Sequence, residues 1–319
     1  MRVLVTGGTG YLGRTIVRTL SARGHEPVVF ARQASRAGLP GRAIDGDVRD
    51  RTAFEAAARG VDAICHSAAL VSQWRRDPRE FDLVNVGGLE HAIAITRDLK
   101  IARLVYTSSF LARPPAGHDA PISANDYQRT KAAANLVAQR ARDAGAPIIT
   151  LYPGVIYGPG LLSEGNLVGR LLADHRAGRL PGVIGPERIW SFALVEDVAL
   201  GHVRALESAA PGSRYELGGE NAPQMRAFEI LRDREGTRLP RRLPYWLADL
   251  LGGAEELRAR LTGRPPLVTR GDVEVFRHDW PVASAGAVRD LGFRVTPLAA
   301  GLAATLAELA DRTELRKLS

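Results

Sequence analysis

Residues 6–13, TGGTGYLG, constrain this chain more than any other stretch. They follow the apolar run Val3-Leu4-Val5 and precede a helical pattern carrying Ile16, Val17 and Leu20. Strand, glycine turn and helix in that order is the context that makes a glycine motif meaningful. Gly7 can take the tight turn, Gly10 lets a pyrophosphate reach the backbone, and Gly13 lets the helix pack closely on the strand. Thr9, Tyr11 and Leu12 complete the turn that would touch the cofactor. The free N–H groups and positive dipole end of the helix would face the phosphates. Taken alone, the glycines also fit an ordinary strand-helix turn, so the rest of the chain has to decide.

At 319 residues the chain suits one large or two medium domains with ample core. The first strand begins at Arg2, which leaves no room for a signal peptide. No run of about 18 apolar residues lacks Gly, Pro or charge, so neither a membrane span nor a membrane partner is expected. The single cysteine, Cys65, cannot form an internal disulfide, which fits the expected cytoplasmic location. The net charge of +8 is nearly all arginine, since the only lysines are Lys100, Lys131 and Lys317. The arginines are scattered rather than striped, so nucleic acid is not an expected partner. No metal site is expected.

Strands and helices alternate through the first half, predicting a doubly wound parallel α/β sheet. Strands are expected at 2–5, 27–31, 42–44, 61–65, 103–106 and 147–151, with helices at 51–59, 78–99 and 125–143. Gly and Pro mark loops at 153–165 and 181–186. A helix at 196–206 and a strand at 214–217 return to the main domain. The expected division is a dinucleotide-binding domain of 1–160 plus about 190–217, and a smaller, mostly helical substrate region of 161–189 plus about 218–319. Leu298, Leu302, Leu306 and Leu309 share one stripe of a terminal amphipathic helix.

Arg32 stands just past the second strand, where an acidic residue would suit the ribose hydroxyl of NAD and an arginine the 2′-phosphate of NADP. Arg36 is a second candidate clamp; both are otherwise plain exposed arginines. Asp47 and Val48, in GDVRD, follow the third strand, where a carboxylate can accept the adenine amino group or hold a turn. Ser67, Ala68 and Ala69 follow the fourth strand and are small enough for a ribose to pass, while neighbouring His66 reads as structural. Tyr127 and Lys131 lie four apart on one helix face, where an ammonium would favour tyrosinate and lower the phenol pKa. Ser109 ends the fifth strand, where ligands bind in open sheets; serine there can equally cap a turn.

TGGTGYLG, GDVRD, HSAA, Asn85 in VNVGG, VYTSS, YQRTK, PGVIYGPG and VEDVA occur in the order seen in extended short-chain dehydrogenases/reductases. The chain resembles their NAD(P)-dependent epimerase/dehydratase-like group, which includes dihydroflavonol 4-reductase, 3β-hydroxysteroid dehydrogenase and hopanoid-associated sugar epimerase-like proteins. SAGAVRDLGF at 284–293 is a weaker echo of the family's C-terminal signature. The resemblance implies Tyr127 as general acid/base, Lys131 on the nicotinamide ribose, and Ser109 on the substrate oxygen. It also implies Asn85 as the residue ordering the active site, and Tyr152, Pro153, Gly154 and Val155 as the loop touching the nicotinamide. The family often dimerises through the helices after strands four and five, which apolar Ile93, Leu136 and Val137 permit; a homodimer is expected.

Three departures narrow the activity. Ser108-Ser109 stands where dehydratases of the family carry acidic residues. Trp190-Ser191 stands where nucleotide-sugar epimerases usually offer an Arg-Asp pair to a diphosphate, although Arg188 is a possible displaced cation. The connection from Ser109 to Tyr127 is short for an extended member. The expected function is an NADP(H)-dependent reductase or dehydrogenase on a small, apolar or cyclic ketone or alcohol, with NADP(H) favoured over NAD(H). Phe110 and Trp190 are candidate substrate contacts, Trp190 being equally well read as plain core. The rivals are a sugar or nucleotide-sugar epimerase with bound NAD(P), and a non-catalytic NADP-sensing protein.

Overall fold

The computed structural model describes residues 1–318, with side chains through residue 310. Six strands alternate with helices: β1 (Arg2–Thr6), β2 (Glu26–Ala31), β3 (Arg42–Asp45), β4 (Ala63–His66), β5 (Arg103–Thr107) and β6 (Ile148–Pro153). Short strands β7 (Val155–Tyr157), β8 (Val183–Ile184) and β9 (Ile189–Leu194) follow, and β10 (Arg214–Leu217) rejoins the main sheet. That sheet has the order β10-β6-β5-β4-β1-β2-β3, and every pairing in it is parallel. This is the doubly wound arrangement expected from the alternating pattern.

Both faces are covered. Period-two alternation sends Val3 and Val5 to one core and Leu4 to the other. The first core is closed by α1 (Tyr11–Ala22), whose Ile16, Val17 and Leu20 are buried. On the opposite face α2 (Arg51–Ala58) contributes Phe54, and Asp50 caps its first turn by accepting from the Ala53 N–H. The helix expected as one piece at 78–99 is instead a short turn α3 (Arg79–Phe81), a π-helical stretch Asp82–Gly87, and α4 (Gly88–Asp98). Such π insertions cluster at functional sites, and this one carries Asn85 into the interior. Helix α5 (Asp126–Asp143) completes that face, its first turn capped by Asn125.

Beyond β6 the chain builds α6 (Leu167–Arg176) and α7 (Val195–Ser208), the latter packed against α1 in the first core. Strands β7 and β9 pair with each other, and β11 (Glu220–Pro223) joins β9 antiparallel. Helix α8 (Met225–Glu235), strand β12 (Arg242–Leu243), α9 (Tyr245–Thr262), α10 (Arg270–Val275), α11 (Ala285–Leu291) and α12 (Leu298–Leu318) follow. The 153–165 loop therefore holds a strand, and small sheets interrupt the mostly helical region. These strands run only two to six residues, too short for a period to show. Leu298, Leu302, Leu306 and Leu309 are buried together, as their spacing predicts.

Candidate active site

A cleft of about 920 Å³ runs along the C-terminal ends of the main-sheet strands. Its floor begins at the glycine turn, where Gly7, Thr9, Gly10, Tyr11, Leu12 and Gly13 all reach the wall. Gly7 has φ +68°, and a Cβ there would lie 2.7 Å from Ala68 Cα. A Cβ on Gly13 would lie 2.2 Å from the Gly7 carbonyl, so both positions exclude any larger residue. Gly10, by contrast, is the N-cap of α1 and offers no side chain to its first turn, and that turn holds no acidic residue. Helices α2, α5, α6 and α10 carry side-chain caps, whereas α1, like α4, α7, α8, α9 and α11, carries none. The uncapped end of α1 thus leaves donors facing the cleft, which fits an anionic group.

Farther along, Arg32, Asp47, Val48, Ser67, Ala68 and Ala69 line the cleft, as expected. Arg32 is exposed and has no ion pair among the described residues. Asp47 is held by Arg49, which donates to both of its oxygens at 3.0 and 2.7 Å and keeps the carboxyl below the usual range. The Ser67 hydroxyl donates to the Thr6 carbonyl at 2.7 Å, joining the ends of β1 and β4. His66 is buried between Phe54 and Tyr106 with Nδ1 2.9 Å from Thr6 Oγ1. Burial first, and then the nearby Lys131 charge, push its pKa down to about 3, so the ring stays neutral and structural.

Ser109, Phe110, Tyr127 and Lys131 all line the same wall. Lys131 is buried; its Nζ donates to the Thr107 carbonyl at 3.0 Å and lies 6.0 Å from the centre of the Tyr127 ring. Thr107 is itself fixed by a 2.9 Å hydrogen bond between its hydroxyl and His202 Nε2. Burial lowers Lys131 to about 8. The expected lowering of the phenol pKa is not what the structure shows. Burial raises Tyr127 to about 12, with the Ser109 hydroxyl pulling weakly the other way. Desolvation sets the direction, and the ammonium stands 6.0 Å from the ring centre. Tyr127 therefore carries its proton at neutral pH and can donate it. Ser109 also accepts from the Leu111 N–H at 3.2 Å, so the turn-cap reading holds alongside its place in the wall.

Three expected site residues lie outside the wall. Arg36 is exposed on a single turn beyond β2 and does not reach the cleft. Tyr152 points to the other side of β6, where its hydroxyl donates to Asn135 Oδ1 at 2.5 Å; strand alternation turns it away while Pro153, Gly154 and Val155 reach the cleft. Asn85 is buried behind the wall. It accepts from the Leu70 N–H at 2.8 Å and donates to Thr130 Oγ1 at 3.0 Å, tying the loop after β4 to α5 next to Lys131. Its amide is spent on that junction and does not reach the cleft. Asn85→Ala leaves the Leu70 N–H without its partner and is expected to cost about 1–3 kcal/mol of stability, read by chemical denaturation.

Trp190 satisfies both readings. It is buried, stacked on Phe276 at 5.1 Å, yet reaches the cleft. Arg188 does not reach it, being drawn to Tyr245 and Asp279. Sequence reasoning missed Arg75, Arg170, Asp272, Val275 and Phe276, all of them in the wall. Arg170 projects from α6, whose one sequence signal is the Asn166 cap. Asp272 accepts from the Thr269 hydroxyl at 2.7 Å and from Asn125 at 3.3 Å, and burial raises it to about 6.

Residues 3–218 match the sequence profile of the NAD dependent epimerase/dehydratase family. The chain belongs to that family. The 2-alkyl-3-oxoalkanoate reductase of Stenotrophomonas maltophilia is 31% identical over 92% of this chain and 94% of its own length. Sterol demethylase protein B of Methylococcus capsulatus is 32% identical over 76% of each chain. The Thermus thermophilus UDP-glucose 4-epimerase, solved with NAD, superposes with TM-score 0.74 at 25% identity, covering 97% of this chain and 99% of that one. This family member is an NAD(P)-dependent enzyme of the extended short-chain dehydrogenase/reductase type.

Proposed function

We propose that the protein is an NADP(H)-dependent reductase interconverting a ketone and a secondary alcohol on a small, apolar or cyclic substrate. The observation that carries this reading is the grouping of Ser109, Tyr127 and Lys131 beside an apolar wall of Phe110, Leu111, Val155, Trp190, Val275 and Phe276. The naming of the Stenotrophomonas maltophilia relative as an oxoalkanoate reductase supports it. Bound NADP(H) supplies or accepts the hydride. It would lie along the glycine turn and the N-terminus of α1, with Arg32 on the 2′-phosphate, and Ser67, Ala68 and Ala69 along the ribose. Ser109 hydrogen-bonds the substrate oxygen and stabilises charge developing there. Tyr127 delivers its proton to that oxygen in reduction. Lys131 holds the ribose, and Asn85 keeps α5 in register with the loop after β4.

Lys131 makes cofactor capture pH-dependent. With its pKa near 8, its charge is present below that pH and lost above it. NADPH binding, followed by nucleotide fluorescence, is expected to weaken as pH rises through about 8, and Lys131→Met should flatten that dependence. Stability runs the other way. The folded value lies below the ordinary lysine value, so the charged form costs stability below about 8, and that cost fades as pH rises toward about 10.

The epimerase reading keeps one specific observation in its favour: Arg170 lines the cleft without an ion pair among the described residues. A ketone panel and UDP calorimetry separate the two. Net NADPH consumption with uncharged cyclic ketones, and no UDP binding, is expected. Tight UDP-sugar binding without net NADPH use would establish the epimerase. We also place a homodimer contact on α4 and α5, where Leu136 is exposed and Ile93 and Val137 are half-buried.

A further inference from the structure

Helix α9 turns its large apolar side chains outward. Trp246, Leu250, Leu257 and Leu261 recur at i, i+4, i+11 and i+15, a single stripe about 22 Å long at 1.5 Å per residue. They are 68%, 65%, 59% and 78% exposed. The inward face is made of small residues instead: Ala248, Gly252 and Ala259 are buried, and a Cβ on Gly252 would lie 2.9 Å from the Arg270 nitrogen. The helix is thus seated on the start of α10 by its smallest residues. Leu267, just beyond it, is 83% exposed. Packing inside this chain does not account for such a face, since single exposed leucines are common but a stripe of about four turns with a tryptophan is not.

The charges around the stripe say what covers it. Asp249 pairs with Arg277, Glu255 with Arg258 at 2.7 Å, and Glu256 accepts from the Arg270 N–H at 2.8 Å. The helix's carboxylates are therefore all engaged. Arg238, Arg241 and Arg242 before α9, Arg260 in its last turn and Arg264 after it are exposed, with no ion pair among the described residues. A stripe of leucine and tryptophan on a helix that carries the unpaired Arg260, and that is preceded and followed in the chain by further unpaired arginines, matches a bilayer surface carrying anionic headgroups. A two-fold pairing of α9 with its own copy would instead bring like-charged arginines together.

We infer that α9 is a peripheral docking helix that lays Trp246, Leu250, Leu257 and Leu261 into an anionic lipid surface. The sequence reading of no membrane partner rested on the absence of a span, and no helix among the described residues is long and apolar enough to cross a membrane. A helix lying in the interface needs no span. Docking would put the lipid one helix from the cleft, because α10, on which α9 rests, supplies Asp272 and Val275 to the wall and leads into Phe276. The inference is independent of the reaction proposed above.

The test is sedimentation of the full chain with phosphatidylcholine vesicles, with and without phosphatidylglycerol. Binding to the anionic vesicles is expected, with weak binding to the neutral ones, and with a blue shift of emission that Trp246→Phe removes. Leu250→Glu with Leu257→Glu should weaken partitioning by ~tenfold or more, while leaving the circular dichroism spectrum and NADPH binding unchanged. If those variants disturb the spectrum, Arg241→Glu with Arg242→Glu serves as the second probe and should abolish the preference for anionic vesicles. Failure to bind anionic vesicles would overturn the inference. So would equal binding by the leucine variants, or self-association of the unmodified chain that the leucine variants reduce to monomer.

Discussion

Tyr127→Phe is expected to reduce ketone turnover by ~10²–10⁴-fold, the range for losing a positioned acid/base group, while NADPH binding stays nearly intact. Burial holds the phenol at about 12, so at neutral pH it is a proton donor waiting for an acceptor. In the proposed reaction the acceptor is the substrate oxygen, which would be brought to the wall that Ser109 and Tyr127 both line. Phenylalanine keeps the ring and its packing, so the fold and the cofactor channel should survive. Single-turnover kinetics with preformed NADPH complex measures the loss directly. Retention of more than about a tenth of activity would exclude Tyr127 as the acid. Lys131→Met should behave differently, damaging cofactor binding and turnover together. The lysine sits between α5 and the Thr107 carbonyl, and not in ion-pair contact with the phenol.

The sequence made some parts of this molecule readable and hid others for definite reasons. The first half was legible because the inner strands are apolar runs bounded by turn residues, and a parallel sheet buried on both faces preserves those runs; only the edge strand β3, Arg42–Asp45, is largely exposed. Tyr127, Lys131 and Ser109 were legible because four residues make one helical turn and a strand end is a fixed place. Tyr152 was misplaced because a motif names a stretch, while strand alternation decides which of its side chains face the cleft. Asn85 came from a motif as well, and only the π-helical stretch explains why it lies behind the wall instead of in it. The phenol's titration was misjudged because spacing gives neighbours and not solvation. The Asn166 cap and the Thr269–Asp272 capping box mark where α6 and α10 start, but nothing local says that Arg170, Asp272, Val275 and Phe276 reach the cleft, which depends on how those two helices pack around it. That arrangement is set by long-range packing of short elements, which no local period encodes.

Arg32→Asp is the second large effect expected. Arg32 lies in the cleft wall just past β2 with no carboxylate paired to it among the described residues, so its charge is available to a ligand. A charge-assisted contact to the 2′-phosphate is worth about 1.5–3 kcal/mol, or roughly 10- to 150-fold in NADP affinity over NAD. Asp47 sits near enough for Arg32 to help lower its pKa, but it is already neutralised by Arg49 and does not compete strongly for Arg32. Reversing the sign at residue 32 removes the attraction and adds repulsion against a phosphate. It also creates an acceptor for the free ribose hydroxyl of NAD. The preference is therefore expected to fall at least to parity and then to invert. Titration of both nucleotides into the unmodified and variant proteins, at fixed ionic strength, measures it. Equal binding of NADP and NAD by the unmodified protein would remove Arg32 from the cofactor site. Arg36→Asp provides the internal comparison, because Arg36 stands off the wall and its replacement should leave the preference in place.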